Sequence, residues 1–168
     1  RLGHRIDTVE YHASYDELMK TALAHELHSY AWNHHSYVAR AAMFYMWNQL
    51  ESGHCCPITM TFAAVPVLRQ HSGKRGDDLF NLDDWLKRLT SADYDNRDIC
   101  LLEKSGATMG MSMTEKQGGT DVQANTTAAI LDYDQSYRLT GHKWFTSAPM
   151  SDGFLTLAQI PEQGLTCF

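Results

Sequence analysis

"MGMSMTEKQGGTD", Met109 to Asp121, decides how the rest of the chain is read. Methionines at 109, 111 and 113 alternate with Gly110, Ser112 and Thr114. A period of two marks a strand, whose successive side chains point to opposite faces. On one face the polarizable methionines make an adaptable apolar wall. The other face is small, so a flat ligand could approach the backbone there. Past the strand, Gly118 and Gly119 permit a tight turn with unobstructed amides, and Thr120 adds a hydroxyl. Those are the parts of a cradle for a phosphate. The plainer alternative is a strand ending in a glycine turn, with its methionines in the core.

From about Ala107 onward the same period recurs between turn clusters, which predicts strands over 107–114, 124–132, 136–147, 153–160 and from 164 on. "DYDQS", Asp132–Ser136, reads as a hairpin loop. On the third strand, "GHKWFTSA", Gly141–Ala148, sets two aromatics beside two hydroxyls, a means of covering a ring system and hydrogen-bonding its edge.

Before Ala107 the punctuation is helical. Ser14 followed by Glu17 predicts a capping box and a helix through "DELMKTALAHELHSYAW". Ser36 caps a second helix, "YVARAAMFYMWNQLES", with a left-handed stop at Gly53. Its apolar stripe is Val38, Ala41, Ala42, Tyr45, Met46 and Gln49. Pro57 suits the first turn of a third helix, "PITMTFAAVPVLRQH", which Pro66 should kink or end. A short fourth, "NLDDWLKRLTS", has acids at its start and Lys87 and Arg88 near its end, as the helix dipole favours. Helices first and strands second give an α+β fold.

The chain carries a formal charge of −6, with basic residues scattered rather than stacked on one face. That is no footprint for nucleic acid within this segment. No apolar run approaches the roughly 20 residues of a membrane span, and no leader is evident, so no membrane contact and a cytoplasmic location are expected. The start at "RLGHRID" and the end at "LTCF", inside an apolar run, predict a piece of a longer protein.

Four cysteines, Cys55, Cys56, Cys100 and Cys167, lack C-x-x-C spacing and read as buried reduced thiols. Of nine histidines, His25, His28, His34 and His35 cluster, but H-E-x-H is not the H-E-x-x-H of zinc enzymes. They read as surface or half-buried residues, and no metal site is expected. "HSGKRGDD", His71–Asp78, departs from the phosphate-binding P-loop pattern and reads as a loop. The acids Asp77, Asp78, Asp83 and Asp84 read as a solvated helix start.

Two stretches together carry a resemblance. "MSMTEKQGGTDV" resembles the acyl-CoA dehydrogenase signature in which T-E-P is followed after two residues by G-S-D. "GHKWFTSA" resembles that family's G-x-K-x-W-I-T-N segment. "MTEKQGG", "NTT", "GHKWF" and "CPITMTFAA" at Cys56–Ala64 resemble its adaptive-response branch. The resemblance implies a helical N-terminal part and linker over 1–105. It implies the start of an antiparallel β-barrel-type middle domain over 106–168, with the C-terminal helical domain lying outside the chain.

It further implies an FAD-binding flavoprotein. Met111, Ser112, Met113 and Thr114 would lie along the flavin ring, and Gly118, Gly119 and Thr120 at the pyrophosphate. Phe145 falls where most of the family stacks a tryptophan on the ring. Thr146 and Ser147 follow it, Ser147 standing where a threonine bonds near the reactive nitrogen. The implied reaction is α,β-desaturation of an acyl-CoA-like substrate, with flavin accepting the hydride. The catalytic carboxylate belongs to the later helical domain, so no catalytic residue is assigned here. Glu115 and Asp121 are turn-supporting acids, and Asp121 caps the turn. Lys116 in place of proline and Ala148 in place of asparagine alter the rim that meets the thioester. The same branch implies an alternative: protection of DNA from alkylation through duplex DNA bound by a basic C-terminal region, the flavin being structural. The family's habit implies a homotetramer.

Overall fold

The computed structural model describes residues 3–73 and 81–168. Lys74–Asp78 of the expected loop, including Asp77 and Asp78, lie outside the described residues. The chain divides into two units. One runs up to Met109 and includes Ala148–Asp152; the other is Gly110–Ser147 with Gly153–Phe168.

The first unit is helical: α1 Ala13–Ala24, α2 Tyr30–His34, α3 Tyr37–Asn48, α4 Cys55–His71 and α5 Leu82–Leu89. Its core gathers Met19, Ala22, Leu23, Leu27 and Ile58, with Tyr15, Phe44, Trp47 and Tyr94 packed around them. Helix α1 begins one residue before Ser14, and its cap is His12, whose ring nitrogen accepts the Ser14 amide at 3.2 Å. The expected capping box does not form. Nor is the first helix continuous, because Glu26 turns left-handed at φ 54°. That turn is held by tertiary bonds to the Glu26 carboxylate, from Asn33 Nδ2 at 2.6 Å and His34 Nε2 at 2.7 Å.

Ser36 caps α3 as expected, its hydroxyl accepting the Ala39 amide at 3.2 Å. Gly53, however, has no left-handed φ. It serves close approach instead: the Glu51 carboxylate accepts the Gly53 and His54 amides at 2.6 and 3.0 Å, where a Cβ on Gly53 would stand 2.7 Å from an oxygen. The α3 stripe of Val38, Ala41, Ala42, Tyr45, Met46 and Gln49 is exposed throughout. The inward side is the one carrying Phe44 and Trp47, with the Arg40 guanidinium over the Phe44 and Phe62 rings at 4.4 and 4.2 Å. Helix α4 runs through Pro66 to His71. Proline leaves the Phe62 carbonyl, four residues back, without its helical donor; Trp32 Nε1 supplies one at 3.1 Å.

The second unit, from Gly110 on, is built on a five-stranded sheet whose strands are β1 Met109–Ser112, β2 Ala128–Leu131, β3 Tyr137–Thr140, β4 Gly153–Ile160 and β5 Gly164–Cys167. Along the sheet the order is β1-β4-β2-β3, and β5 also pairs with β4. Strands β2 and β3 form an antiparallel hairpin in the register Ala128↔Thr140 to Leu131↔Tyr137, closed by Asp132–Ser136 as expected. Strands β4 and β5 form another, from Leu157↔Cys167 to Ile160↔Gly164. The α+β order thus holds, and a parallel contact, Ala128↔Gln159, joins the two antiparallel hairpins. Three strands are shorter than expected. "GHKWFTSA" is not a strand at all: its backbone turns left-handed at Phe145, φ 61°, and Ala148, φ 47°.

No helix among the described residues is long and apolar enough to cross a membrane.

Candidate functional site around the β1 turn

Strand β1 buries its small face. A Cβ on Gly110 would stand 2.3 Å from the Phe154 ring, and Ser112 Oγ meets Thr146 Oγ1 at 2.7 Å. The flat approach expected along Gly110 and Ser112 is therefore closed by protein. Met111, Met113, Thr114 and Gly118 are the half-buried members of the stretch. On the methionine side Met109 is buried, so that side is partly open to a ligand at Met111 and Met113 alone.

After Thr114 the chain turns back on itself: the Glu115 amide donates to the Gly118 carbonyl at 3.3 Å and the Gly118 amide to the Glu115 carbonyl at 3.1 Å. Neither Gly118 nor Gly119 needs a left-handed backbone. Gly119 is required by space, since a Cβ there would lie 2.9 and 3.0 Å from Thr114 Cγ2 and Oγ1. Among the described residues the amides of Gly119 and Thr120 and the hydroxyl of Thr114 make no hydrogen bond. Free amides beside a hydroxyl, on a turn whose glycine keeps them clear, can receive an anionic oxygen.

The node of this region is Glu115. Its side chain is 1% exposed. One oxygen accepts the Thr127 amide at 3.0 Å, the Thr127 hydroxyl at 2.5 Å and Lys143 Nζ at 2.9 Å. The other accepts the Thr126 amide at 2.7 Å, the Thr126 hydroxyl at 3.0 Å and Gln117 Nε2 at 2.7 Å. Burial by itself would raise this carboxyl, but these donors outweigh it and hold the group well below the usual carboxylate range. Asp121 does not cap the turn as expected; its side chain makes no cap bond. Glu115 and Gln117, which also donates to the Ala124 carbonyl at 3.1 Å, do that work instead.

Both quoted motifs meet here. Lys143 reaches Glu115, the Trp144 amide donates to the Thr114 carbonyl at 2.8 Å, and Thr146 meets Ser112. Close passage is secured by Gly141, where a Cβ would lie 2.2 Å from Thr127 Oγ1. Asn125, buried alongside, donates to the Met113 carbonyl at 2.9 Å while its own oxygen has no partner among the described residues. Phe145 is 80% exposed despite its left-handed backbone, with the Trp144 ring 5.8 Å away edge-on. Thr120 and Ser147 are exposed. Sequence reasoning did not find the Lys143, Thr126 and Thr127 partners of Glu115; "NTT" was the signal, three hydrogen-bonding side chains in a row.

The remaining candidates lie elsewhere. His28 is fully buried rather than superficial; burial pulls its pKa down to about 4, and its Nε2 meets the Ser91 carbonyl at 2.9 Å. Of the cysteines only Cys55 is buried, while Cys56, Cys100 and Cys167 are exposed, all of them free. No group of three or more metal-ligating side chains occurs among the described residues. In the helical unit a cleft of ≈ 230 Å³ is lined by Tyr15, Asp16, Tyr94, Lys104 and Asp152 among others, and by none of the expected site residues. Its acids are already engaged: Asp16 accepts from Tyr94 at 3.0 Å, and Asp152 from Lys104 and the Thr108 amide.

Known proteins share this arrangement of sequence and fold. Residues 1–96 match the adaptive response protein AidB N-terminal domain, and residues 110–168 the acyl-CoA dehydrogenase middle domain. AidB of Escherichia coli (strain K12) is 45% identical over 170 residues, covering 99% of this chain and 30% of that protein. Acyl-CoA dehydrogenase family member 11 of Caenorhabditis elegans is 53% identical over 55 residues, 32% of this chain and 9% of that protein. The crystal structure of Caenorhabditis elegans ACDH-11 in complex with C11-CoA has a TM-score of 0.79 at 28% identity, covering 99% of this chain and 29% of that one. The chain thus spans about a third or less of the relatives it matches. It belongs to the AidB N-terminal domain family, and behind that domain its residues 110–168 match the acyl-CoA dehydrogenase middle domain.

Proposed function

We propose that the β1 turn and the 143–147 segment form one wall of an FAD site in a flavoprotein that oxidises an acyl-CoA. The observation that carries this reading is the junction of the two motifs: three links join residues 112–115 to 143–146, yet Phe145 stays exposed in a left-handed conformation. Strain and exposure together at an aromatic are unexplained by folding and fit a ligand contact. The space that Gly119 preserves beside the Thr114 hydroxyl fits the phosphate end of such a ligand.

In this reading Met111 and Met113 line the ring, Ser112 supports them from the closed face through Thr146, and Thr114 stands between the ring and the phosphate end. The Gly118–Thr120 turn offers amides to the pyrophosphate. Phe145 covers the ring face, flanked by the hydroxyls of Thr146 and Ser147. Bound FAD would supply a hydride acceptor, chemistry that no side chain here provides. Glu115 is not the base that removes the substrate proton: six donors occupy its two oxygens, and by favouring the ionised form they make it a weak proton acceptor. The acyl-CoA assignment is supported by the likeness to ACDH-11, whose crystal structure is that of a complex with C11-CoA. The formal charge of −6 places any duplex-DNA contact outside this segment, and the likeness to an acyl-CoA complex is what favours the oxidoreductase reading over DNA protection.

The test is the visible absorption spectrum of the full-length protein after incubation with FAD and gel filtration. Retained flavin bands, lost in Phe145→Ala, are expected. A folded, colourless protein would end the flavoenzyme reading.

A further inference from the structure

Glu115 does more than its turn requires. Two of its six donors are the Thr126 and Thr127 amides of the loop 11 and 12 residues on, and the carboxylate also takes the Lys143 ammonium from a segment 28 residues on. Glu115 and Lys143 are 1% and 13% exposed, so neither charge is dispersed in water. A buried pair of this kind contributes little net stability over an apolar pair, but it penalises every arrangement in which one partner is displaced. What it can set is register.

From this we infer that the Glu115–Lys143 pair is a positioning device for the proposed flavin site, locking the 143–147 segment against the β1 turn. The inference rests on the flavin reading and adds residues that touch no cofactor in it. The backbone explains how the lock acts. Lys143 is followed directly by Trp144, whose amide bonds the Thr114 carbonyl at 2.8 Å, and then by Phe145 in its left-handed conformation. Thr146 closes the far side on Ser112 at 2.7 Å. Phe145 thus hangs between two anchored residues, its ring edge-on to Trp144 at 5.8 Å and 80% exposed. Its direction is set by its neighbours, and the strongest tether among them is Lys143. Thr127 completes the arrangement: its hydroxyl donates to Glu115 and stands where Gly141 has no side chain, so the third segment enters the same lock.

Two measurements on the full-length protein test this, with Leu23→Ala in the helical core as a control of reduced stability. Amide exchange in the flavin-free protein reads the lock directly: Glu115→Gln and Lys143→Met should each speed exchange at Trp144 at least tenfold, and the control should not. FAD titration reads its consequence: both variants should lose at least tenfold in affinity, the double variant no more than either single one, with the control unchanged. If Trp144 exchange is unaltered, or if it rises without loss of affinity, the positioning role is wrong while the flavin site stands. An equal affinity loss in the control would also overturn it, as a mere stability effect. If the unaltered protein takes up no FAD, the flavin reading falls first and the inference with it.

Discussion

Glu115 and Phe145 sit on segments bonded to one another, and they are built on opposite terms. Around Glu115 every carboxylate oxygen is committed, and the glycines at 119 and 141 allow close approach. Around Phe145 the backbone is left-handed, the ring faces solvent and the next residue, Thr146, supplies one hydroxyl contact. Rigid support beneath a strained and open residue is the division of labour expected where a fold must present a side chain without a partner of its own. Stability should therefore depend on the first region and ligand binding on the second.

Glu115→Ala tests this division hardest. It strands the Lys143 ammonium and the Thr126 and Thr127 donors, and should lower unfolding free energy by about 3–5 kcal/mol in denaturant titration. A loss under about 1 kcal/mol would mean that water replaces the carboxylate at little cost. Gly141→Ala comes next. Its Cβ would meet Thr127 Oγ1 at 2.2 Å and Thr127 Cα at 2.7 Å, so backbone must move, and about 1–3 kcal/mol should be lost.

The pH profile adds a sign to the same contrast. The folded Glu115 carboxyl lies below its ordinary value of 4.5, so its contribution is present above that value and fades as pH falls below it. The stability gap between the unaltered protein and Glu115→Gln should be full at neutral pH and narrow on acidification below 4.5, as thermal melts across pH would register. The smallest stability effect is expected at Phe145→Gly, which relieves a left-handed residue and should leave the melting temperature unchanged or raise stability by about 1 kcal/mol. The same change should weaken FAD retention. Stability lost with retention kept would invert the roles of the two regions.

Local rules carried the sequence reading as far as local forces do. The cap at Ser36, the placement of Pro57 and the hairpin at Asp132–Ser136 were legible from spacing, whereas the two motifs were tied together by the family resemblance and not by spacing. What failed was set by contacts distant in sequence. The break at Glu26 depends on Asn33 and His34, the passage through Pro66 on Trp32, and the collapse of the expected strand at Gly141–Ala148 on bonds to Thr114, Glu115 and Ser112. The α3 stripe shows the limit differently: its apolar periodicity was real, but periodicity does not say which face turns inward when Arg40 can cover Phe44 and Phe62.

Pairing with β1, β2 and β5 makes strand β4 the hub of the sheet, and through the Thr156 hydroxyl it reaches the Ser112 carbonyl, 44 residues earlier. On a ribosome adding roughly 5–20 residues per second, the β1 turn would leave the exit tunnel seconds before the strand that completes it. The helices can form within microseconds of emerging, whereas β1 must wait with its methionines uncovered. Timing of synthesis, and not only the final fold, thus sets how long the proposed cofactor wall is exposed to misfolding.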